Sequence, residues 1–360
     1  MEGHRTGVGR TGPAASALVA ELLDWIEVAS VSGTEAPFTD LARRALERRG
    51  LDVEPIDVGA GRASLFARVG SPRVVLCTHL DTVPPWFGAR ADRTHVHGRG
   101  ACDAKGVALA MAEASRRLVD GGLGDFGLLW TVGEEVDSDG ALAAQRALVS
   151  GALELDQAPS FIVVGEPTGN RFVRGHKGML RAALRAKGVP SHSSDPRGPS
   201  AVHALVGCCA RLIGQDWGQH PVFGAGSLNV GVIAGGVADN VVAGEAHADL
   251  LVRAVEGPKE VEARLRGGLS GEVELDVHVR YGPVEFLVPE GEPAEVVAFG
   301  TDAPYLPAWG QPLLMGPGDI ADAHTEHERI AIGELERGIA RYVDLVPALL
   351  ERAVAQGTRG

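Results

Sequence analysis

Six residues spread along the chain, His79, Asp103, Glu134, Glu135, Glu166 and His324, sit in local contexts that together describe a two-metal hydrolase site. In VVLCTHLDTVP the apolar run at 74–77 reads as a buried parallel strand that delivers His79 and Asp81 just past its end. A histidine that binds metal usually hands its other ring nitrogen to a carboxylate, so the HxD spacing reads as His79 the ligand and Asp81 the group that holds it. In GRGACDAKG a glycine-rich turn throws out Asp103 just before an amphipathic helix, where its two oxygens can bridge two cations. In LLWTVGEEVDSDG the adjacent side chains of Glu134 and Glu135 must point in different directions, so one can bind metal while the other faces a substrate. FIVVGEPTG repeats the pattern of strand, glycine and acid at Glu166, and the turn-rich GPGDIADAHTEHERI carries His324. Singly, each is an ordinary loop residue; together they match the way open α/β sheets gather ligands outside the carboxyl ends of their strands.

Such residues need a frame that brings strand ends together. Residues 13–29 show helical spacing at Leu18, Leu22, Trp25 and Ile26, and a second helix runs from about Phe38 to a C-cap at Gly50. Strand signals at 65–69, 74–77, 128–132 and 161–164 then alternate with helices at 106–119 and 141–148. This alternation predicts an α/β domain with a mixed, mostly parallel sheet and helices on both faces. From about Val173 to about Tyr281 the pattern changes. MLRAALRAKG, LNVGVIAGG, EAHADLLVRAV and EVELDVHVRYG read as strands, and 200–213 and 259–269 as helices, which suggests a small α+β sandwich inserted into the first domain. The first domain resumes near Gly282 and closes with a helix at 333–354. The expected division is 1–172, 173–281 and 282–360.

A chain of 360 residues, 45% hydrophobic and 22% charged, is long enough for about two domains of a globular protein. The formal charge of -13, with no basic cluster to offset it, argues against nucleic acid or an anionic membrane as partner. Cys77, Cys102, Cys208 and Cys209 form no CxxC or paired framework and read as reduced thiols. No signal-type apolar segment and no run long enough to span a membrane is seen, so a soluble, cytoplasmic protein is expected. GVGRTG near the N-terminus matches GxGxxG only formally, because no strand can precede it.

The motifs HLDTVP, GRGACDAKG, GEE, GEPT and GPGDIADAH, in this order and from about Ala15 to about Leu350, resemble the signatures of the M20 family of metallopeptidases and deacylases. That group includes acetylornithine deacetylase, acetylcitrulline deacetylase, succinyl-diaminopimelate desuccinylase, aminoacylase and glutamate carboxypeptidase. One departure, Val107 where many relatives have a second glycine, falls on a helix. The resemblance implies that the inserted domain is a ferredoxin-like lid that also forms a homodimer. It assigns His79 and Glu166 to one cation and Glu135 and His324 to the other, with Asp103 shared and Glu134 the general base. It also implies that His192, in KGVPSHSSDPRGPSAV, stabilises an oxyanion in the partner subunit's active site, and that Asn240 and Arg253 bind substrate, Arg253 through a carboxylate.

A histidine and carboxylate set suits two zinc ions, with cobalt as a functional substitute. AFGTDAPYLP and LLMGPGDIADAH resemble the acetylornithine and acetylcitrulline deacetylases most. The expected reaction is therefore removal of an N-acyl group, an acetyl in the first instance, from a small amino acid such as N-acetylornithine, N-acetylcitrulline or N-acetyllysine in arginine or lysine biosynthesis. The desuccinylase or an M20 carboxypeptidase or dipeptidase is the alternative, and a metal-binding homologue without turnover the third reading. His95, His97, His176 and His327 are expected to stay outside the site, His176 in a polar turn and His327 one helical turn past His324.

Overall fold

The structure is a computed structural model that describes residues 13–357. The GVGRTG stretch lies outside the described residues. Two compact units are present: the first takes in residues through Arg174, Phe286–Glu295 and those from Thr301 on, the second Gly175–Glu285 and Val296–Gly300.

The first unit is built on a six-stranded sheet in the order Asp52–Gly59, Arg62–Val69, Phe126–Thr131, Val74–His79, Phe161–Val164, Gln311–Leu314. The last four run parallel and the first two add on antiparallel. Val74–His79 and its two neighbours are buried along their whole length, which is why they read as unbroken apolar runs. Helices α1 (Pro13–Glu27), α2 (Ala36–Glu47), α3 (Lys105–Asp120) and α7 (Ile332–Gly357) share one apolar cluster with Leu65, Leu76, Leu128 and Trp130 of the sheet. At its centre Trp25 packs edge-on against Phe38 and Trp130, with ring centroids 5.6 and 6.0 Å apart. α4 (Asp139–Ser150) packs against the antiparallel strands, and Phe66, whose side chain points opposite to that of Leu65, meets Trp309 edge-on.

Two of these strands are absent from the sequence reading, each for the same reason. Asp52–Gly59 contains Pro55 and Gln311–Leu314 contains Pro312, and both are edge strands, where a residue without an N–H is tolerated. Gly50 ends α2 as its position suggests, in the left-handed region at φ +84°.

In the second unit the strands Ser227–Gly235, Glu245–Ala254, Gly178–Lys187 and Val273–Tyr281 form, in that order, an antiparallel sheet. With α5 (Ala201–Ile213) and α6 (Pro258–Gly267) the chain runs strand, helix, strand, strand, helix, strand, the ferredoxin-like connection. Strict alternation in EAHADLLVRA turns Ala246, Ala248, Leu250 and Val252 onto a core with Leu205, Cys208 and Leu265. Ser200 caps α5 by accepting a hydrogen bond from the backbone N–H of His203.

His176 is not in a polar turn. It ends the strand Phe172–His176, is fully buried, and stacks edge-on to Tyr281 at 6.0 Å. Burial depresses its imidazole to about 4. A folded value below the unfolded one of about 6.5 means that the unfolded chain takes up the proton first. Stability should then be full above about pH 6.5 and decline by about 3 kcal/mol as pH falls toward 4. Denaturant titrations across this window should show a shallower decline for His176→Asn; equal slopes for the two proteins would exclude His176 as the source.

Candidate active site

Each functional side chain leaves the sheet or its loops at the same end. His79 is the last residue of its central strand, Glu134 and Glu135 follow Phe126–Thr131, and Glu166 follows Phe161–Val164. Asp103 lies in the turn before α3 and is joined to Ala104 by a cis peptide. His324 sits at φ +61° in a run of turns, and His327, exposed in the same turns, is not on a helix.

The resulting geometry centres on Asp103. Its Oδ1 is 2.9 Å from His79 Nε2, which is also 3.9 Å from Glu166 Oε2. Its Oδ2 is 3.1 Å from His324 Nε2, which is 3.0 Å from Glu135 Oε1. One carboxylate thus faces two imidazoles, each flanked by a different glutamate. Ligand atoms of His79, Asp103 and Glu135 all lie within 4.8 Å of one another. His95 and His97 are elsewhere, in a short strand where His97 pairs with Asp92.

The electrostatics follow from the crowding. Burial and neighbouring carboxylates push Glu134 and Glu166 well above the usual carboxylate range, and Glu135 is raised as well. Hydrogen bonds with Asp103 and Glu135 lift His324 to about 10. Burial opposes a charge on His79, yet Asp103, Asp81 and Glu166 raise it well above the ordinary imidazole range. The side chains by themselves therefore call for added positive charge. Divalent cations held by these oxygens and imidazole nitrogens would meet that demand, and the donor set fits zinc or a similar ion.

Asp81 does more than the HxD spacing implies. His79 Nδ1 is 3.0 Å from the backbone carbonyl of Asp81 and 3.5 Å from its carboxylate. The carboxylate also accepts from the backbone N–H groups of Glu134 and Glu135, each at 3.1 Å, and from the Ser32 hydroxyl at 2.7 Å. One buried acid therefore ties the histidine segment to the paired glutamates.

Two further acids were not singled out from sequence. Asp302 is buried, is raised to about 6 by that burial, and adds negative charge near Glu134 and Glu166. Glu328, four residues past His324, is also buried and accepts hydrogen bonds from the loop that holds Asp103. The only sequence signal was the spacing in HTEHE, which looks like solvated loop.

His192, Asn240 and Arg253 belong to the second unit. His192 and Asn240 lie on adjoining segments: the backbone N–H of Ser193 donates to the Asn240 carbonyl, and His192 pairs with Val241. The His192 Nδ1 is 2.7 Å from the Ser194 hydroxyl. Arg253 pairs with Met179 near the other end of Glu245–Ala254, a ten-residue strand about 30 Å long. Asn240 lies in the loop before this strand, and Arg253 one residue from the strand's far end.

Residues 75–348 match peptidase family M20/M25/M40. An M20 peptidase domain-containing protein of Schizosaccharomyces pombe is 33% identical over 93% of this chain and 85% of its own length. The chain belongs to the M20/M25/M40 family. It is accordingly a metallohydrolase of peptide-like amide bonds, with a mixed α/β fold. An Aspergillus clavatus protein named "Probable carboxypeptidase" is also 33% identical, over 95% of this chain and 84% of its own. Among solved structures, an aminopeptidase PepT from Bacillus cereus superposes with a TM-score of 0.76 at 18% identity, covering 92% of this chain and 98% of that one. The metallo-carboxypeptidase Sso-CP2 of Sulfolobus solfataricus gives 0.75 at 16% identity over 91% and 98%.

If the carboxylate cluster is a cation site, chelator-treated protein should gain about 2.7 kcal/mol of stability when zinc or cobalt is supplied at a hundred times its Kd. Thermal melts should show this gain, and Asp103→Asn should lose most of it. An equal gain in the variant would place cation binding elsewhere.

Proposed function

We propose that this M20 metallohydrolase cleaves the amide bond of a short peptide or N-acylated amino acid whose released product is an amino acid, and that its activity is of the carboxypeptidase or dipeptidase type. The observation that carries the hydrolase mechanism is the Asp103 carboxylate set between the His79 and His324 imidazoles, with Glu134 beside them. The choice of substrate class rests on the relatives named as carboxypeptidases. In this reading His79 and Glu166 would hold one cation, Glu135 and His324 the other, and Asp103 would serve both. Bound there, the pair would supply Lewis-acid polarisation of the scissile carbonyl and a lowered pKa for the attacking water. Glu134 accepts the proton of that water and delivers it to the departing amine. Burial and its carboxylate neighbours raise the proton affinity of Glu134 in the chain by itself, and bound cations would oppose that rise.

Deacetylation of an N-acetyl amino acid is the second reading, favoured by the GTDAPYLP stretch around the buried Asp302. We also propose a homodimer formed through the second unit. Ser227–Gly235 is an edge strand with Val232 and Ile233 about half exposed, and α5 presents Val206 and Ile213 to solvent. A second copy would allow Asn240 and His192 of one chain to meet a substrate held by Arg253 of the other. The free, buried state of all four cysteines fits the cytoplasm, and among the described residues no helix is long and apolar enough to cross a membrane.

The test is kcat/KM for a panel of C-terminally free dipeptides, N-acetylornithine, N-acetylcitrulline, N-acetyllysine and N-succinyl-diaminopimelate. Dipeptides should lead by at least about tenfold, or ~1.4 kcal/mol of transition-state binding. A tenfold lead for an acetylated amino acid would select the deacetylase reading instead. Glu134→Gln should lower kcat by at least ~10²-fold and leave cation binding nearly intact; a near-normal kcat would remove Glu134 from the mechanism.

A further inference from the structure

Glu328 is completely buried, in a unit already crowded with carboxylates. A buried charge of this kind is costly unless it is paired and hydrogen-bonded, so its bonding shows what it is for. Oε1 accepts from three backbone N–H groups of a single loop: Gly100 at 2.9 Å, Cys102 at 3.2 Å and Asp103 at 3.1 Å. Oε2 accepts from Arg99 Nη1 at 2.6 Å. Arg99, itself 2% exposed, also donates from Nε to the Pro85 carbonyl at 3.2 Å and lies over the Phe87 ring. The main chain on either side is pinned as well. The Glu328 carbonyl accepts from Gly98 N–H at 3.0 Å, and the next residues, Arg329–Ala331, pair with His95–His97.

The Glu328 carboxylate, together with the Arg99 side chain that it holds, thus joins three segments next to metal-ligating groups. They are the loop after His79, the turn bearing Asp103, and the run of turns bearing His324. We propose that Glu328 is a positioning residue of the metal centre, setting the Asp103 carboxylate against His324 so that the two share one cation; this rests on the two-cation reading above. A carboxylate is required because two different donors must be met at once. An amide would offer one oxygen, so it would lose either the three N–H groups or Arg99, and it would turn an NH₂ group toward one of them. Asp103's own oxygens stay free for ligation because the loop is held through its N–H groups.

The experiment is zinc titration by calorimetry on chelator-treated wild type, Glu328→Gln, Glu328→Asp and the remote core variant Val346→Ala, with the visible spectrum of the cobalt-loaded proteins as second readout. Removing an outer hydrogen-bond partner of a ligand typically costs 10–100-fold in metal affinity. The expected result is such a loss for one of two equivalents in Glu328→Gln, a smaller loss in Glu328→Asp, and an altered cobalt spectrum. Val346→Ala should be less stable than wild type yet bind both equivalents normally. Wild-type affinity and spectrum in the Glu328 variants would overturn the proposal, as would loss of the fold in both, which would make Glu328 part of the general frame. A wild-type chain that binds no zinc would instead overturn the two-cation reading itself.

Discussion

Asp103 faces two imidazoles in a recess where Glu134, Glu135, Glu166, Asp81 and Asp302 add further negative charge. Like charges at such separations raise one another's proton affinity, and desolvation adds to the effect. The cationic side chains around the recess do not relieve it. Arg99 is bound to Glu328, and Arg62 to Glu35 and Asp139. Lys105, two residues beyond Asp103, donates to the Trp25 and Val28 carbonyls and lies 4.2 Å from the Phe38 ring centroid. Each of these three side chains is committed to holding an element in place, so the positive charge at the centre is left to protons on His79 and His324, both raised, or to bound cations that would replace them.

That commitment explains much of the surrounding architecture. Lys105 ties the start of α3, and hence the turn bearing Asp103, to the end of α1. Arg62 joins Glu35, which precedes α2, to Asp139 at the start of α4. It lies directly beneath Gly133, where an added Cβ would collide with Arg62 and Asp139 and where φ is +74°. The glycine before the paired glutamates is thus required twice, by backbone conformation and by the close approach of an ion pair. From above, the Asp81 carboxylate holds the N–H groups of both glutamates. The loop that would carry a ligand and a base side by side is fixed on both sides.

Much of this was legible in the sequence because the ligand segments are local. A strand, a turn and an acid lie within about ten residues, and the apolar runs that precede His79, Glu134 and Glu166 are strong strand signals. The unread parts depend on distant partners. Glu328 meets Gly100 across 228 positions, so HTEHE alone cannot reveal that its last acid is buried. Asp302 lies in a segment with no periodicity, and the edge strands were hidden by Pro55 and Pro312. The HxD spacing shows Asp81 as a partner for His79 but offers no sight of the Glu134 and Glu135 N–H groups that its carboxylate also holds. Arg253 is paired with Met179 near the end of its strand, while Asn240 lies in the loop before that strand, a placement that spacing alone does not give.

The central claim is that the Asp103 carboxylate is shared by two cations while Glu134 binds neither. Crystals of the zinc-loaded protein, measured on either side of the zinc absorption edge, address it directly. The account requires two anomalous peaks about 3.5 to 4 Å apart, one beside His79 and Glu166 and the other beside Glu135 and His324, with Asp103 in contact with both. A single peak, or a peak coordinated by Glu134, would contradict it.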